Sequence, residues 1–360
     1  MKKSITREFY PGDEWVYFKI YLNAGCANEV LVHLKKNVIN TLLRKKLIDK
    51  WFFIRYSDPD FHIRLRLHIP APRDSRRSPS ASLSGYYAGI FAGIVSRINK
   101  SLSPFTKSGL ISRIQLDTYI REIERYSPLP HAIPPNPQSV TSNTTRSANS
   151  DTPQSIDSAL SANSDTPQSI DSTLSAISAL CLQGSMMETC ETIFFQDSEM
   201  AMELIETLPN SEINYIAAAT SSIDSYLSAV GLPLDSRIAT VKRMLVAYMK
   251  EWNINQPINI GKVFRQHKDH IFKTIRDKSL FNRHLSPSPL LQSTPTQPSK
   301  TISPSSRLTL STENIPITSL IHMSINRLFP RNQRLYELIS YNSLLKYYEM
   351  LLHHSPHPSQ

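Results

Sequence analysis

Two long segments of this chain cannot form part of a hydrophobic core. Residues 135–178 contain no aromatic residue and consist mainly of Ser, Thr, Asn, Asp, Gln, Pro and Ala. Residues 285–313 form a second segment, which is rich in Ser, Pro and Thr. Neither segment offers enough apolar surface to offset the entropy that is lost when a chain becomes ordered. We therefore predict that both are disordered insertions in a single domain that spans residues 1–360.

The first of these segments contains a tandem repeat. Residues 147–160 (SANSDTPQSIDSAL) are followed at once by residues 161–174 (SANSDTPQSIDSTL), and the two copies differ at one position. Two copies of so short a unit cannot stack into a core, because repeat architectures use longer units and at least about three of them. We interpret the repeat as a duplication within a tolerant loop.

The composition excludes several kinds of site. The chain has only nine glycines, and the nearest match to a phosphate-binding loop, at Gly261-Lys262, has Val263 where a Ser or Thr must reach the metal. Three cysteines without a C-x-x-C pair argue against a disulfide framework and against a structural zinc site, and they fit a reducing compartment. The formal charge of +10 favours anionic partners.

The longest apolar run is too short to cross a membrane. Residues 86–95 provide about half of the ~20 apolar residues that a membrane span requires. The N-terminus also lacks the apolar stretch of a signal peptide. We predict a cytoplasmic protein without membrane insertion.

Hydrophobic periodicity predicts strands first and helices later. Aromatic and β-branched patterns predict strands at residues 14–22, 51–56 and 61–69. Helical spacing predicts helices at residues 27–47, 86–102, 198–208, 211–230, 235–251, 261–279 and 315–352, the last with a break at Pro330. Ser198 is predicted to cap its helix, with Asp197 at the helix start. This order indicates an α+β fold, with an antiparallel sheet in the N-terminal half and a mainly helical C-terminal half.

The second strand of the predicted hairpin has one basic face. Its residues alternate, so that His62, Arg64, Arg66 and His68 lie on one face and Ile63, Leu65, Leu67 and Ile69 lie on the other. Because the basic residues repel one another, we expect an acidic partner or an anionic ligand opposite them. Arginine can bind a carboxylate through two parallel hydrogen bonds. The alternative is a half-exposed strand with a solvated charged side.

This hairpin carries part of a resemblance to a known family. The run WFFIRYSDPDFHIRLRLHI at residues 51–69 resembles a signature of the C-terminal domain of lantibiotic dehydratases, which also occurs in stand-alone proteins of thiopeptide-type bacteriocin biosynthesis. Further segments fit the same family in the same order, namely DTY at 117–119, EIERY at 122–126, IFFQDSE at 193–199 and HMSINRL at 322–328. With residues 15–22 added, the resemblance covers most of the patterned chain.

The resemblance implies an enzyme that matures a ribosomally synthesised peptide and uses no cofactor. In this family the C-terminal domain eliminates glutamate from glutamylated Ser or Thr and leaves dehydroalanine or dehydrobutyrine. We expect this chain to act on a glutamylated precursor peptide and to need a separate glutamyl-tRNA-dependent glutamylating protein. Two alternatives stay open. Some stand-alone relatives form the pyridine ring of thiopeptides by cycloaddition, and a non-catalytic module could bind tRNA or precursor peptide through its basic strand.

The chemistry of elimination suggests roles for particular residues. The reaction needs a base for the Cα proton, stabilisation of an enolate-like oxygen and a positive site for the departing glutamate. His322 is the candidate base or acid, since imidazole exchanges protons near neutrality, although an ordinary helix histidine also fits its position. The candidate catalytic arginines are Arg64, Arg66 and Arg125, and the candidate substrate-binding residues are His62 and Arg327. A cation near His322, such as Arg327, would favour the neutral imidazole that a base requires.

Overall fold

The N-terminal half of the chain is built around an antiparallel sheet. The computed structural model describes residues 6–72, 83–123, 168–208, 211–229, 231–254, 261–277 and 317–354. Its strands are β1 (Glu8–Phe9), β2 (Trp15–Leu22), β3 (Lys50–Tyr56), β4 (His62–His68), β5 (Ile111–Leu116) and β6 (Tyr119–Ile120). Four of them form a sheet in the order β3-β4-β2-β5, and β1 pairs with β6 in a separate two-stranded ribbon.

Two helical segments connect the strands of the larger sheet. Between β2 and β3 lie α1 (Ala27–Leu34), a π-helical turn (Lys35–Ile39) and α2 (Asn40–Arg44). Between β4 and β5 lies α3 (Leu83–Lys107). Together with the strand order, these connections give the split β-α-β arrangement that is called ferredoxin-like.

The two faces of the larger sheet have different environments. On one face, Ile63, Leu65 and Leu67 of β4 are fully buried in the hydrophobic core, and each such side chain contributes about 1.5–3 kcal/mol through removal from water. The basic residues of β4 lie on the opposite face. The ribbon of β1 and β6 covers one end of that face, where Tyr119 meets the ring of Tyr17 at a centroid distance of 6.4 Å.

The C-terminal half is a helical layer that packs against the edge of the sheet. Its helices are α4 (Gln168–Thr207), α5 (Glu212–Ala229), α6 (Leu234–Glu251), α7 (Gly261–Arg276), α8 (Ile317–Leu328) and α9 (Gln333–His354). Helices α4 and α8 contact each other and the edge strand β3, and α9 contacts α5, α6 and α8. Of the helices in the described ranges, none combines the length and the apolar character that a membrane crossing needs.

The predicted α+β class is confirmed, and the three predicted strands and the break near Pro330 are present. The sequence pattern does not predict β5, since ISRIQL lacks a regular alternation, and it does not predict the short strands β1 and β6. The predicted helix at residues 27–47 is present, but a π-helical turn interrupts it. Local periodicity therefore identifies most elements of this fold.

Helix α4 differs most from the sequence prediction. It begins at Gln168 and not at residue 198, so Asp197 and Ser198 lie in its interior and the predicted N-cap is wrong. Ser198 is fully buried, and its hydroxyl donates to the carbonyl of Phe194 at 2.8 Å, because short polar residues can also bond to the backbone within a helix. The last residues of the segment predicted to be disordered are helical as well. Residues 135–167 and 285–313 lie outside the described residues.

Candidate functional site: the basic sheet face

Strand β4 lies in the interior of the sheet and presents its basic residues between aromatic neighbours. In the strand register, Arg66 is opposite Tyr17 of β2 and Phe52 of β3, whereas His62 is opposite Tyr21 and Tyr56. The alternation predicted for β4 is confirmed, because its apolar residues are fully buried on the other face. We call the surface formed by His62, Arg64 and Arg66, with the tyrosines beside them, the basic face.

Arg66 is buried on this face among aromatic rings. Only 6% of the residue is exposed, and its guanidinium lies 4.6 Å from the ring centroid of Tyr17, 4.8 Å from that of Tyr119 and 5.3 Å from that of Phe52. Among the described residues, no carboxylate pairs with it and its buried Nε has no hydrogen-bond acceptor. Cation–π contacts hold a guanidinium but do not neutralise its charge. The charge of Arg66 is therefore available to an anionic ligand.

Arg64 and His62 are joined by a hydrogen bond. The guanidinium of Arg64 lies over the ring of Tyr56 at 3.5 Å, and its Nε donates to Nε2 of His62 at 3.1 Å. Nδ1 of His62 in turn donates to the carbonyl of Asp60 at 2.8 Å. Burial lowers the pKa of His62, and the charge of Arg64 acts in the same direction. His62 is thus a neutral acceptor that orients Arg64.

Neighbouring strands add two more cations to the basic face. Lys19 of β2 is opposite Arg64 in the strand register and forms an ion pair with Asp117. Arg113 of β5 lies 3.9 Å from the ring centroid of Tyr21. The basic face therefore extends across three adjacent strands, and Asp117 compensates one of its charges.

The ribbon that covers one end of the basic face is fixed by a buried carboxylate. Glu191 of α4 accepts hydrogen bonds from Nε and Nη2 of Arg121, each at 2.7 Å, and from the hydroxyl of Tyr119 at 2.9 Å. Because the same Tyr119 ring contacts Arg66, Glu191 helps to position one wall of the Arg66 site. Arg125, the third predicted catalytic arginine, lies outside the described residues.

His322 of α8 lies beside a carboxylate of α9. Its Nδ1 lies 2.9 Å from Oε2 of Glu337, across the contact between α8 and α9. The side chain of His322 is 28% exposed, so solvent or a ligand can reach it. The pairing with Glu337 is a contact that the sequence did not predict, and the positive charge expected from Arg327 beside this imidazole stays a prediction.

Arg327 lies in the protein interior. Its side chain has no exposed surface, and its guanidinium donates to the carbonyl of Met323 at 2.6 Å and to the hydroxyl of Ser198 at 3.2 Å. Asp197 is its ion-pair partner at 3.5 Å. Arg327 links α8 to α4 through these contacts, and the substrate-binding role expected for it stays a prediction.

Two residues whose contacts the sequence did not predict cover the open edge of β3. Asn326 accepts a hydrogen bond from the backbone nitrogen of Arg55 at 2.7 Å and donates to the Arg55 carbonyl at 2.8 Å. The hydroxyl of Ser198 accepts from the backbone nitrogen of Phe53 at 3.3 Å. The sequence signal was a small polar residue on an otherwise apolar helix face. These contacts fix the helical layer to the strand next to β4.

The structure therefore brings three of the predicted residues together on one surface. His62, Arg64 and Arg66 share the basic face, whereas His322 belongs to the contact between α8 and α9 and Arg327 to the core. Chemically, the basic face can bind an anion through fixed charges, and the His322 pair can exchange a proton.

Comparisons with known proteins identify what this chain is similar to. The family model described as Lantibiotic biosynthesis dehydratase C-term matches residues 15–132 and 183–348. Nisin biosynthesis protein NisB of Lactococcus lactis subsp. lactis is 28% identical over 120 residues, which cover 33% of this chain and 10% of NisB.

Two solved structures are also similar to the chain. The tRNA-dependent lantibiotic dehydratase MibB from Microbispora sp. 107891 superposes with a TM-score of 0.46 and 17% identity, covering 97% of this chain and 29% of MibB. TsrL superposes with a TM-score of 0.49 and 11% identity, covering 94% of this chain and 95% of TsrL. The matches thus span only a minor part of NisB and of MibB.

Proposed function

The chain belongs to the family of lantibiotic biosynthesis dehydratase C-terminal domains, and on this premise we propose that it matures a precursor peptide by eliminating glutamate from glutamylated Ser or Thr. A base removes the Cα proton. The electron pair of the former Cα–H bond forms the Cα–Cβ double bond, and the Cβ–O bond breaks. The electrons of that bond leave on the carboxylate of free glutamate. The products are dehydroalanine or dehydrobutyrine and glutamate.

The observation that carries this proposal is the buried, unneutralised guanidinium of Arg66 beside Arg64. The reaction develops negative charge on the departing carboxylate, and fixed positive charges aimed at such a position stabilise the transition state. Aromatic rings around Arg66 exclude water, which strengthens its attraction for an anion. We assign Arg64 and Arg66 to the glutamyl group, and His62 to the orientation of Arg64.

His322 is proposed as the residue that transfers the Cα proton. Imidazole can act as a base near neutral pH, and the ring is partly exposed at the surface of the helical layer. Arg125 remains a proposed anion-binding residue on the resemblance alone. A separate glutamyl-tRNA-dependent protein is proposed to supply the glutamylated peptide.

The test uses a purified precursor peptide that carries glutamate on Ser. We expect the protein to release free glutamate, which mass spectrometry detects together with the loss of the glutamyl mass from the peptide. Arg64→Lys and Arg66→Lys keep the charge but lose the planar guanidinium, so each should slow release by about tenfold or more, or about 1.4 kcal/mol.

The matched control is Arg97→Lys on α3, because Arg97 is exposed and distant in sequence from the basic face. This variant should release glutamate at the wild-type rate. Unchanged rates in both Arg64→Lys and Arg66→Lys would remove these residues from the reaction. A wild-type protein that releases no glutamate would overturn the proposed elimination.

A second candidate function is the binding of tRNA without catalysis. Arg64 and Arg113 stack on tyrosines of a four-stranded antiparallel sheet, and arginine with aromatic residues on a sheet face is typical of single-stranded RNA binding. RNA binding that weakens steeply with added salt, in a protein that turns over no glutamylated peptide, would favour this function. Ring formation from a peptide with two dehydroalanines would instead favour a pyridine-forming cyclase.

A further inference from the structure

A buried carboxylate on α9 lies between His322 and Tyr341. Oε2 of Glu337 lies 2.9 Å from Nδ1 of His322, and Oε1 accepts from the hydroxyl of Tyr341 at 2.8 Å. The Glu337 side chain is only 1% exposed. Burying a carboxylate is costly unless hydrogen bonds compensate the lost hydration. The arrangement thus places a carboxyl group directly beside an imidazole that is itself partly exposed.

We infer that Glu337 is a positioning residue for His322, an inference that rests on the proposed role of His322 in proton transfer. A carboxylate can only accept, so Nδ1 must carry the proton of the neutral ring. Nε2 then carries the lone pair and points away from Glu337, and proton transfer occurs at Nε2. The carboxylate also stabilises the imidazolium that forms when the ring accepts the Cα proton.

The other groups near Glu337 do not compete for this proton. Burial raises the pKa of Tyr341 well above its ordinary value, and the charge of Glu337 raises it further. Burial and the same charge also raise the pKa of Tyr248 on α6. Both phenols therefore stay protonated near neutral pH. Charged side chains that act on these tyrosines also include Glu251 of α6 and Arg334 of α9, which have opposite signs.

Glu337→Gln tests the inference because it keeps the size of the side chain and removes its charge. We expect kcat for glutamate release to fall by about tenfold or more, with KM changed by less than about twofold, because the ring contributes to the reaction step and not to binding. Without the carboxylate the ring protonates less readily, so the acidic limb of the pH–rate profile should move to lower pH.

Two further variants of the same cluster sharpen the test. Glu337→Asp keeps the charge on a shorter side chain. Compared with Glu337→Gln, its rate and the position of its acidic limb should be closer to those of the wild type. Tyr341→Phe removes a donor from the carboxylate, which strengthens its attraction for a proton on His322, so the limb should move to higher pH. Glu349→Gln, at an exposed position of the same helix, is the matched control and should keep the wild-type rate and profile.

The outcomes separate this inference from the proposed function. A wild type that releases glutamate, with a folded Glu337→Gln variant that keeps its kcat and pH profile, overturns the positioning role alone. Titration of the His322 ring by NMR requires no turnover. A lower midpoint in Glu337→Gln than in the wild type supports the pairing, and an unchanged midpoint overturns it. Absence of glutamate release by the wild type overturns the proposed function, whatever the titration shows.

Discussion

Two buried arginines show that the same residue type can serve opposite purposes. Arg327 has no exposed side-chain surface and uses its guanidinium on Asp197, Ser198 and a backbone carbonyl. Arg66 is nearly as buried, but the faces of three aromatic rings surround it in place of a carboxylate. An internal ion pair consumes the charge of an arginine, whereas aromatic rings leave it for a ligand. Burial alone therefore does not distinguish an arginine with an ion-pair partner from one that aromatic rings surround.

Asp197 leads to a prediction about pH at the residue scale. Burial raises its pKa to about 6 from an ordinary value of 3.8, while Arg327 and a hydrogen bond from Tyr226 act in the opposite direction. Between these two pH values the folded state holds a proton that the unfolded state has released. The free energy of unfolding therefore falls as the pH rises through this window.

Asp197→Asn should remove this part of the pH dependence. Urea denaturation at several pH values gives the free energy of unfolding of each protein. The difference, wild type minus variant, should fall by about 3 kcal/mol as the pH rises from 3.5 to 7. Asp235→Asn, at an exposed position, is the control and should give a constant difference. Parallel curves for wild type and Asp197→Asn would contradict the raised pKa.

At the scale of elements, the edge of β3 decides how the sheet and the helices join. An edge strand presents unpaired backbone groups that must find partners when it is buried. Here a helix side chain takes the place of a neighbouring strand, because the amide of Asn326 pairs with both the nitrogen and the carbonyl of Arg55. The hydroxyl of Ser198 accepts a hydrogen bond from the backbone nitrogen of Phe53, which points out of the same edge two residues before Arg55. Helices α4 and α8 are thereby held in register with β3.

Asn326→Ala should destabilise this junction. The substitution leaves two buried backbone groups without partners, at a cost of about 1–3 kcal/mol each in the free energy of unfolding, measured by urea denaturation. Asn326→Asp keeps the acceptor but places a buried carboxylate oxygen against the Arg55 carbonyl, so it should be at least as destabilising. Asn37→Ala, at an exposed position of the π-helical turn, is the control and should change stability by less than about 0.5 kcal/mol. If Asn326→Ala lowers the free energy of unfolding no more than the control does, the edge of β3 does not depend on Asn326.

At the scale of the molecule, one hydrophobic core connects the sheet and the helical layer. Core residues extend from Phe9 on the ribbon to Tyr348 on α9. The family match has its gap at residues 133–182, which contain both copies of the repeat. The described helix α4 begins at Gln168 within the second copy, and the first copy lies outside the described residues.

Deleting residues 147–160 should therefore leave the protein intact. The remaining copy still supplies the sequence QSIDSTL at the start of α4, and the deleted residues lack the apolar surface to contribute to the core. We expect the melting temperature and the rate of glutamate release to match the wild type, by calorimetry and mass spectrometry. A fall in melting temperature of more than about 3 °C, or roughly 1 kcal/mol, would show that the first copy packs against the domain.

The elements and one face of the candidate site could be predicted from the sequence, because they depend on local order. Alternation along His62, Ile63, Arg64 and Leu65 determines which side chains share a face, since successive residues of a strand point in opposite directions. The resemblance of residues 51–69 to a known family indicated the same hairpin. These features follow from short-range geometry, which any strand with that pattern obeys.

The roles of individual charged residues were decided only by tertiary structure. His322 and Arg327 lie in one short motif, yet one pairs with Glu337 on α9 and the other with Asp197 on α4. No periodicity in the sequence specifies these partners, because contacts between distant segments depend on how the helices pack. The start of α4 was also not predicted. Asp197 and Ser198 resemble a helix cap in the sequence, but in the structure they contact α8 and β3 from the interior of α4. Local pattern thus determined the surfaces of the elements, and packing determined which charges remain available for chemistry.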